Sequence, residues 1–427
     1  MEQIVAGLDI GTTKIVCLVG RRTIHGKVEI MGIGKSNSDG VSRGVVSNIK
    51  QTVESIRSAV EEAEKMAGVK IKTVNVGIAG QHIRSIQNQG VRMRDSMDEE
   101  ISQVDIDKLV EDMHRLVMKP GEEIIHVIPQ EYTVDNEQGI KDPVGMSGMR
   151  LEANCHVVVG QVSAAKNIKR CVENANLEIK EMILEPLASS ESVLTEEEKE
   201  AGVVLVDIGG GTTDIAIFQD GTIRHTAVIP FGGNIITEDI KSGCSILKQQ
   251  AELLKVRFGS AIVLEDKEAE VVSIPGFRGQ TPKEISVKNL SYIINARVTE
   301  IVDQVFYEIK NTVSESQLIA GIVITGGGAQ LKHISQLFAF RTGMDSRLGM
   351  PNGHMSATEI EGVVSPSNST GLGLVLKGFL STTNMGVAHQ EEKVEEPKVA
   401  NHSEKRKGNF FNKVFRKGME LFEDDNE

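Results

Sequence analysis

Two short stretches of this sequence carry the residue types that hold a polyphosphate. Leu8-Asp9-Ile10-Gly11-Thr12-Thr13-Lys14-Ile15 is echoed by Val206-Asp207-Ile208-Gly209-Gly210-Gly211-Thr212-Thr213-Asp214-Ile215, the second copy having two extra glycines. Each sets an aspartate at the end of an apolar run and follows it with glycine and threonine. Such a turn gathers N–H groups and hydroxyls into an anion-binding concavity. Glycine lets the backbone approach a phosphate with no Cβ between them. Asp9 and Asp207 are the ligand type that holds magnesium, directly or through water, and Lys14 is placed to reach phosphate oxygens. A single turn of this kind is also an ordinary hairpin; two copies facing each other would clamp a polyphosphate from both sides.

Three further clusters belong beside them. Ile322-Val323-Ile324-Thr325 runs into Gly326-Gly327-Gly328, where bare backbone at a helix start suits a flat ring or a phosphate; the alternative is a tight strand-to-helix turn. Glu185-Pro186-Leu187-Ala188-Ser189-Ser190 has proline in the first turn of a helix and small residues that permit close packing. Glu185 then either starts a helix or orients water or hydrated magnesium as a catalytic carboxylate. Glu252 and Lys255 have the spacing of a solvated helical ion pair.

The last cluster is physical rather than chemical. From Asn409 to Phe422, at 100° per residue, Phe410, Phe411, Val414, Phe415, Met419, Leu421 and Phe422 share one half of a helix. Asn412, Lys413, Arg416, Lys417 and Glu420 share the other, and Lys405-Arg406-Lys407 precedes them. A phenylalanine-rich face opposite a basic one describes an interfacial membrane anchor. Docking on the domain or in a protein groove is the competing reading, and the polar, acidic linker before it argues against docking.

The elements that must position these groups follow from periodicity. Strands are expected at Ile4 to Leu8, Ile15 to Val19, Val74 to Ile78, Ile179 to Leu184, Val203 to Val206, Ile215 to Phe218 and Ile322 to Thr325. Val53, Ile56, Val60, Ala63 and Met66 mark a helix from Ile49 to Ala67. A more polar region from Gln81 to Val159 holds a charged helix, Val104 to Val117, and short strands such as Glu123 to Ile128 and His156 to Val159. Ser163 to Asn176 reads as a helix. Two helices surround an irregular stretch between Thr237 and Val313. The repeated strand-turn-strand unit, half a chain apart, indicates two related lobes.

Composition sets the outer bounds. The chain has 427 residues, 40% hydrophobic and 25% charged, with net charge −13. That is enough apolar mass for more than one core, since single cores stop growing near about 250–300 residues. An acidic chain repels phosphate backbones, so no nucleic-acid partner is expected. Cys17, Cys155, Cys171 and Cys244 lie far apart, with no histidine at metal-ligand spacing, and read as buried thiols of a reducing compartment. No signal peptide is expected, and no apolar run reaches the roughly 18 residues of a spanning helix. Membrane contact is therefore expected to be peripheral.

Taken together and in this order, the two D-x-G turns, the E-P-x-A helix start and the G-G-G turn resemble the actin superfamily, which includes the Hsp70 ATPase domain and sugar kinases. The resemblance narrows to the FtsA family through Gly77-Ile78-Ala79-Gly80, Phe231-Gly232-Gly233-Asn234 with Thr237-Glu238-Asp239-Ile240, Ala251-Glu252 with Lys255, Ile294-Asn295-Ala296-Arg297 with Glu300-Ile301, and Gly371-Leu372-Gly373. It implies an α/β, two-lobed actin-like ATPase fold with an inserted subdomain in the first lobe and a C-terminal amphipathic helix. The boundaries expected are 1–80 and 161–198 for the first lobe core, 81–160 for the insertion, which serves self-association, 199–236 and 314–380 for the second lobe core, and 237–313 for an outer subdomain. A flexible linker, 381–407, and the helix, 408–423, complete the chain.

By the same resemblance the cofactors are ATP and Mg2+, with the metal on Asp9 and Asp207. The nucleotide contacts are Asp9, Gly11, Thr12, Thr13, Lys14, Asp207, Gly209, Gly210, Gly211, Thr212, Thr213, Gly326, Gly327 and Gly328. Glu252 and Lys255 lie beside the ribose and base, and ATP turnover is weak or absent. The implied role is in cell division: a filament former on the cytoplasmic face of the membrane that anchors the tubulin-like FtsZ at the division site and receives later divisome proteins. The C-terminal peptide of FtsZ would bind the 237–313 subdomain, where Arg297 pairs either with that peptide or within the chain. A pilus-assembly adaptor of the PilM type and a sugar kinase of the same superfamily are the rival readings.

Overall fold

The computed structural model describes residues 3–23, 26–96, 99–263, 265, 269–276, 281–351, 355–356 and 360–391, the stretch 382–391 by backbone alone. The amphipathic segment 408–423 and the linker beyond 391 lie outside the described residues. The chain divides into one compact unit, Met1–Thr382, and a second, Thr383–Glu427. Both lobes lie in the first.

The first lobe begins with β1 (Ile4–Ile10), β2 (Lys14–Arg22) and β3 (Val28–Asn37), then the short β4 (Val41–Ser42) and β5 (Val45–Val46), α1 (Ile49–Ala67) and β6 (Thr73–Ile78). Helix α1 starts where Asn48 accepts the N–H of Gln51 through its side chain and stops at Gly68 in the left-handed region, the expected chemistry of the two ends. Its Val53, Ile56, Ala59, Val60 and Ala63 are buried against the sheet. The inserted segment supplies β7 (Arg84–Met93), α2 (Gln103–His114), β8 (Glu122–Val134), β9 (Glu137–Ile140) and β10 (Arg150–Gln161). These four strands form their own sheet, in the order β7-β10-β8-β9. The chain returns through α3 (Val162–Asn174) and β11 (Glu178–Leu184), which pairs in parallel with β6 and completes the order β11-β6-β1-β2-β3.

Helices α4 (Glu185–Val193) and α5 (Glu196–Ala201) lead into β12 (Val203–Ile208), β13 (Thr213–Gln219) and β14 (Thr222–Ile229). After them come α6 (Gly233–Cys244), α7 (Lys248–Phe258), β15 (Val271–Ile274), β16 (Lys283–Ser286) and the long α8 (Val287–Thr312). β17 (Ile322–Thr325), α9 (Ile334–Thr342), β18 (Ser346–Leu348) and α10 (Ser369–Glu391) close the described chain. The second sheet has the order β14-β13-β12-β17-β18. Its core includes Val204, Val206, Ile215, Leu290, Ile294, Val302 and Phe338.

Three sequence expectations change here. The 237–313 stretch holds three helices and a hairpin. Helix α7 buries only Ala251 and Leu254 while Leu253 and Val256 stay exposed, so it leaves a weak helical pattern. The helical backbone of α10 continues to Glu391, past residue 381 where composition suggested linker; the stretch has no proline to stop it. The end of the 314–380 segment belongs with the first sheet. Leu372, Val375, Leu376 and Phe379 bury against Val5, Val16 and Leu18, and at roughly 1.5–3 kcal/mol per buried large apolar side chain that face fixes α10 there.

The chain thus passes between the sheets on α4 and comes back on α10. The two helices touch backbone to backbone: a Cβ at Gly373 would stand 1.7 Å from the carbonyl oxygen of Ala188. Small residues line the contact, with Ser192 Oγ donating to the Ser369 carbonyl at 2.8 Å and Ser189 Oγ 3.0 Å from Thr370 Oγ1.

Candidate functional site

The two repeated turns close equivalent hairpins. β1 and β2 pair down to Ile10 and Ile15, leaving Gly11, Thr12 and Thr13 at the tip, while β12 and β13 pair down to Ile208 and Thr213. The tips meet: a Cβ at Gly210 would lie 1.9 Å from Thr13 Oγ1, and one at Gly211 2.7 Å from Thr12 Oγ1. Only glycine permits that approach. Thr12 Oγ1 also accepts the N–H of Gly44, at 3.2 Å, tying the first tip to the loop before β5.

A cleft of about 530 Å³ opens beside the tips. It is lined by Asp9, Gly11, Thr12, Thr13 and Lys14 from one hairpin and by Asp207, Gly209, Gly210, Gly211, Thr212 and Asp214 from the other. Glu185, Glu252, Lys255, Gly326, Gly327 and Gly328 also line it. Thr213 does not. Strand alternation turns it away from its neighbours Thr212 and Asp214, and its hydroxyl donates to the Phe231 carbonyl at 2.8 Å. Gly326 takes φ +88°, where a Cβ would also meet Asp207 Oδ1 at 2.3 Å. The chain then makes a 3-10 turn, Gly327–Gln330, before α9.

Four carboxyls crowd the floor. Burial pushes Asp9 up to about 6, with Lys14 pulling it down and Asp207 pushing it up. Burial likewise pushes Asp214 up to about 7, reinforced by Asp207 and opposed by the Thr212 hydroxyl. Asp207 is raised by burial, against hydrogen bonds from Ser189 Oγ at 2.7 Å and Thr370 Oγ1 at 3.3 Å. Glu185 sits at the first position of α4, ahead of Pro186, and rises well above the carboxylate range through burial and then through Asp9, Asp214 and Asp207. Lys14 is the ammonium among them; its Nζ donates to the Ser367 carbonyl at 2.5 Å and Asn368 Oδ1 at 3.1 Å, and burial lowers its pKa.

This donor set suits a hydrated divalent cation with its polyanion. The oxygens are hard, the carboxyls are short of positive charge, and Asp214 Oδ1 is buried with no hydrogen-bond partner among the described residues. Among those residues no group of three or more His, Cys, Asp or Glu is arranged to chelate a bare ion, so water and the anion would complete the coordination.

On the far wall Lys255 pairs with Glu252 at 2.8 Å, and its Nζ donates to the Gly233 carbonyl at 2.9 Å and to Thr237 Oγ1 at 2.8 Å. The ion pair expected from the spacing therefore forms and also borders the cleft. Arg297 lies elsewhere on the second lobe. Its guanidinium bonds Asp239 at 2.5 Å and also pairs with Glu300, which is the intramolecular alternative.

Sequence reasoning missed Asp214 and the hydroxyls that hold Asp207. The repeat carries a signal for the first, since Asp214 occupies the place of Lys14 in the other copy. Ser189 and Thr370 bring together segments 181 residues apart, and no local pattern links them.

Comparison with known proteins fits this geometry. A family model described as cell division protein FtsA matches residues 204–373, and one described as the SHS2 domain inserted in FtsA matches residues 80–159. The chain is 41% identical over 401 residues to cell division protein FtsA of Pseudomonas aeruginosa, covering 93% of this chain and 95% of that protein. It is 38% identical over 400 residues to the Neisseria meningitidis protein of the same name, covering 92% and 95%. Among solved structures, a PilM–PilN type IV pilus biogenesis complex matches with TM-score 0.62 at 14% identity, covering 88% of this chain and 98% of that one. MreB5 of Spiroplasma citri bound to ADP matches with TM-score 0.53 at 16% identity, covering 90% and 98%. The structural likenesses speak to fold alone; with two lobes around a cleft, an inserted sheet, and this identity along nearly the whole length, the chain belongs to the FtsA family of actin-like cell-division proteins.

Proposed function

We propose that the cleft binds ATP with magnesium, and that the bound nucleotide sets the state of a scaffold that self-assembles at the membrane and anchors FtsZ there. The observation that carries this reading is the meeting of two D-x-G turns above four crowded carboxyls, in a chain of the FtsA family. Gly11 to Lys14 and Gly209 to Thr212 would hold the phosphates, Glu252 and Lys255 the ribose and base, and Asp9 and Asp207 the hydrated metal. Magnesium, when bound, neutralises phosphate charge and orders water. Ser189 and Thr370 keep Asp207 turned toward the cleft. Glu185 has the position to orient a water or take its proton. Turnover is expected to be slow, so ATP acts more as a switch than as a fuel.

The inserted segment serves self-association in this reading, the 237–313 subdomain receives the FtsZ peptide, and the 408–423 segment holds anionic lipid. Family membership weighs against the pilus adaptor and the sugar kinase. Calorimetry tests the nucleotide site directly. Asp207→Ala should stay folded and lose magnesium-dependent ATP affinity by about tenfold or more, about 1.4 kcal/mol. Binding at the parent level by the folded variant sinks the assignment.

A further inference from the structure

The inserted segment does more than decorate the first lobe, because its strand β8 reaches both sheets. His126 accepts the N–H of Leu184 through Nε2 at 3.0 Å. Ile128 packs with Val193, Leu205 and Phe218 of the second lobe's side. Gln130 Nε2 donates to the carbonyl of Ile223 at 2.5 Å. The first of these contacts falls at a sensitive place. Leu184 ends β11, the edge strand of the first sheet, and is the residue from which α4 starts. An edge strand has no further strand to receive its outer N–H groups. Leu184 has no capping side chain, and Pro186 lacks an N–H. The corner that launches Glu185 into the cleft is therefore held from outside by an imidazole of the inserted segment.

We propose that His126 is a positioning residue for Glu185, fixing the strand-to-helix corner through Leu184 and linking the inserted segment to the nucleotide cleft. The proposal rests on the reading that Glu185 faces hydrated magnesium. The bond requires an unprotonated Nε2, hence the Nδ1–H tautomer. Burial, followed by Lys377 and His114, pushes the imidazole down to about 4, so it stays a neutral acceptor through the physiological range. The linkage works without contact between His126 and the ligand: a shift of β8 moves Leu184, and with it the first turn of α4. Because Gln130 on the same strand bonds the second lobe, displacement of one lobe against the other pulls on the corner.

The test uses the full chain and one ratio, the gain in ATP affinity on adding magnesium, measured by calorimetry. Glu185→Gln should lower the ratio. His126→Phe, which keeps a ring and removes the acceptor, should lower it about threefold or more, with no further loss in the double variant, since both act through one carboxylate. His126→Gln, which keeps an acceptor, should recover most of it. If Glu185→Gln lowers the ratio and folded His126→Phe leaves it at the parent value, or if the two losses add, the positioning role is overturned while the reading of Glu185 stands. If Glu185→Gln leaves the ratio unchanged, both fall. Histidine-labelled parent protein gives a readout that needs no variant: carbon-13 shifts must report the Nδ1–H tautomer for His126, and the Nε2–H tautomer overturns the proposal.

Discussion

Asp214 gives the sharpest stability prediction. Its carboxyl is buried, repelled by Asp207, and pushed up to about 7 from an ordinary 3.8. Thr212 Oγ1 donates to one oxygen at 2.9 Å, and the other has no partner among the described residues. A raised folded-state pKa means the native state keeps a proton that the unfolded chain releases. Below pH 3.8 both states are protonated and the group contributes no difference. As pH rises toward 7 the native state loses stability by about 1.4 kcal/mol per pH unit. Three units amount to about 4 kcal/mol, and water entry and rearrangement of neighbours return roughly half of that. Asp214→Asn, which keeps an acceptor for Thr212, should therefore match the parent near pH 4 and be about 2 kcal/mol more stable at pH 8. Urea unfolding of the nucleotide-free protein across that range measures it. An equal difference at both pH values, or a less stable variant at pH 8, would refute the argument.

Other perturbations probe other links. Gly373→Ala should destabilise by about 1–3 kcal/mol in chemical unfolding through overpacking against the Ala188 carbonyl; a more stable variant would mean that helix propensity outweighs the clash. Arg297→Glu places a third carboxylate beside Asp239 and Glu300 and should weaken binding of the FtsZ C-terminal peptide more than about tenfold. Adding Asp239→Arg restores affinity if Arg297 acts through its intramolecular pair, and leaves the loss if it touches the peptide. Deleting 408–423, or combining Phe411→Glu with Phe415→Glu, should abolish sedimentation with anionic liposomes while ATP binding persists. Parent-like sedimentation of either variant moves the anchor elsewhere.

Local chemistry made much of this molecule legible. Helix α1 announced itself through its apolar stripe from Val53 to Ala63, and the structure adds a cap at Asn48 and a left-handed glycine at Gly68 that agree with it. The two hairpins were visible because each buried strand ends in an aspartate and a glycine turn. Strands β8 and β10 are much longer than their apolar stretches at Glu123 to Ile128 and His156 to Val159 suggested. Pairing across three strands carries polar residues such as Glu131, Thr133 and Asn154 along, and pairing partners leave no trace in a single strand's pattern. The floor of the cleft was half legible. Asp9, Asp207 and Glu185 stand next to motifs, while Ser367, Asn368 and Thr370 arrive from the far end of the chain to hold Lys14 and Asp207.

That return from the far end bears on how the chain is made. Val5, Val16 and Leu18 leave a ribosome long before Leu372, Val375, Leu376 and Phe379, which pack against them. The lobe that includes β1 and β2 thus waits until the second lobe's segments have been made for the helix that covers it. Domains generally fold as they emerge, and contacts of such high sequence separation form slowly. During that wait the apolar side of β1 and β2 is open to water, to other nascent chains and to chaperones. The second lobe, whose strands and helices follow one another between residues 203 and 348, has what it needs sooner. Vectorial synthesis therefore favours completing the second lobe before the first.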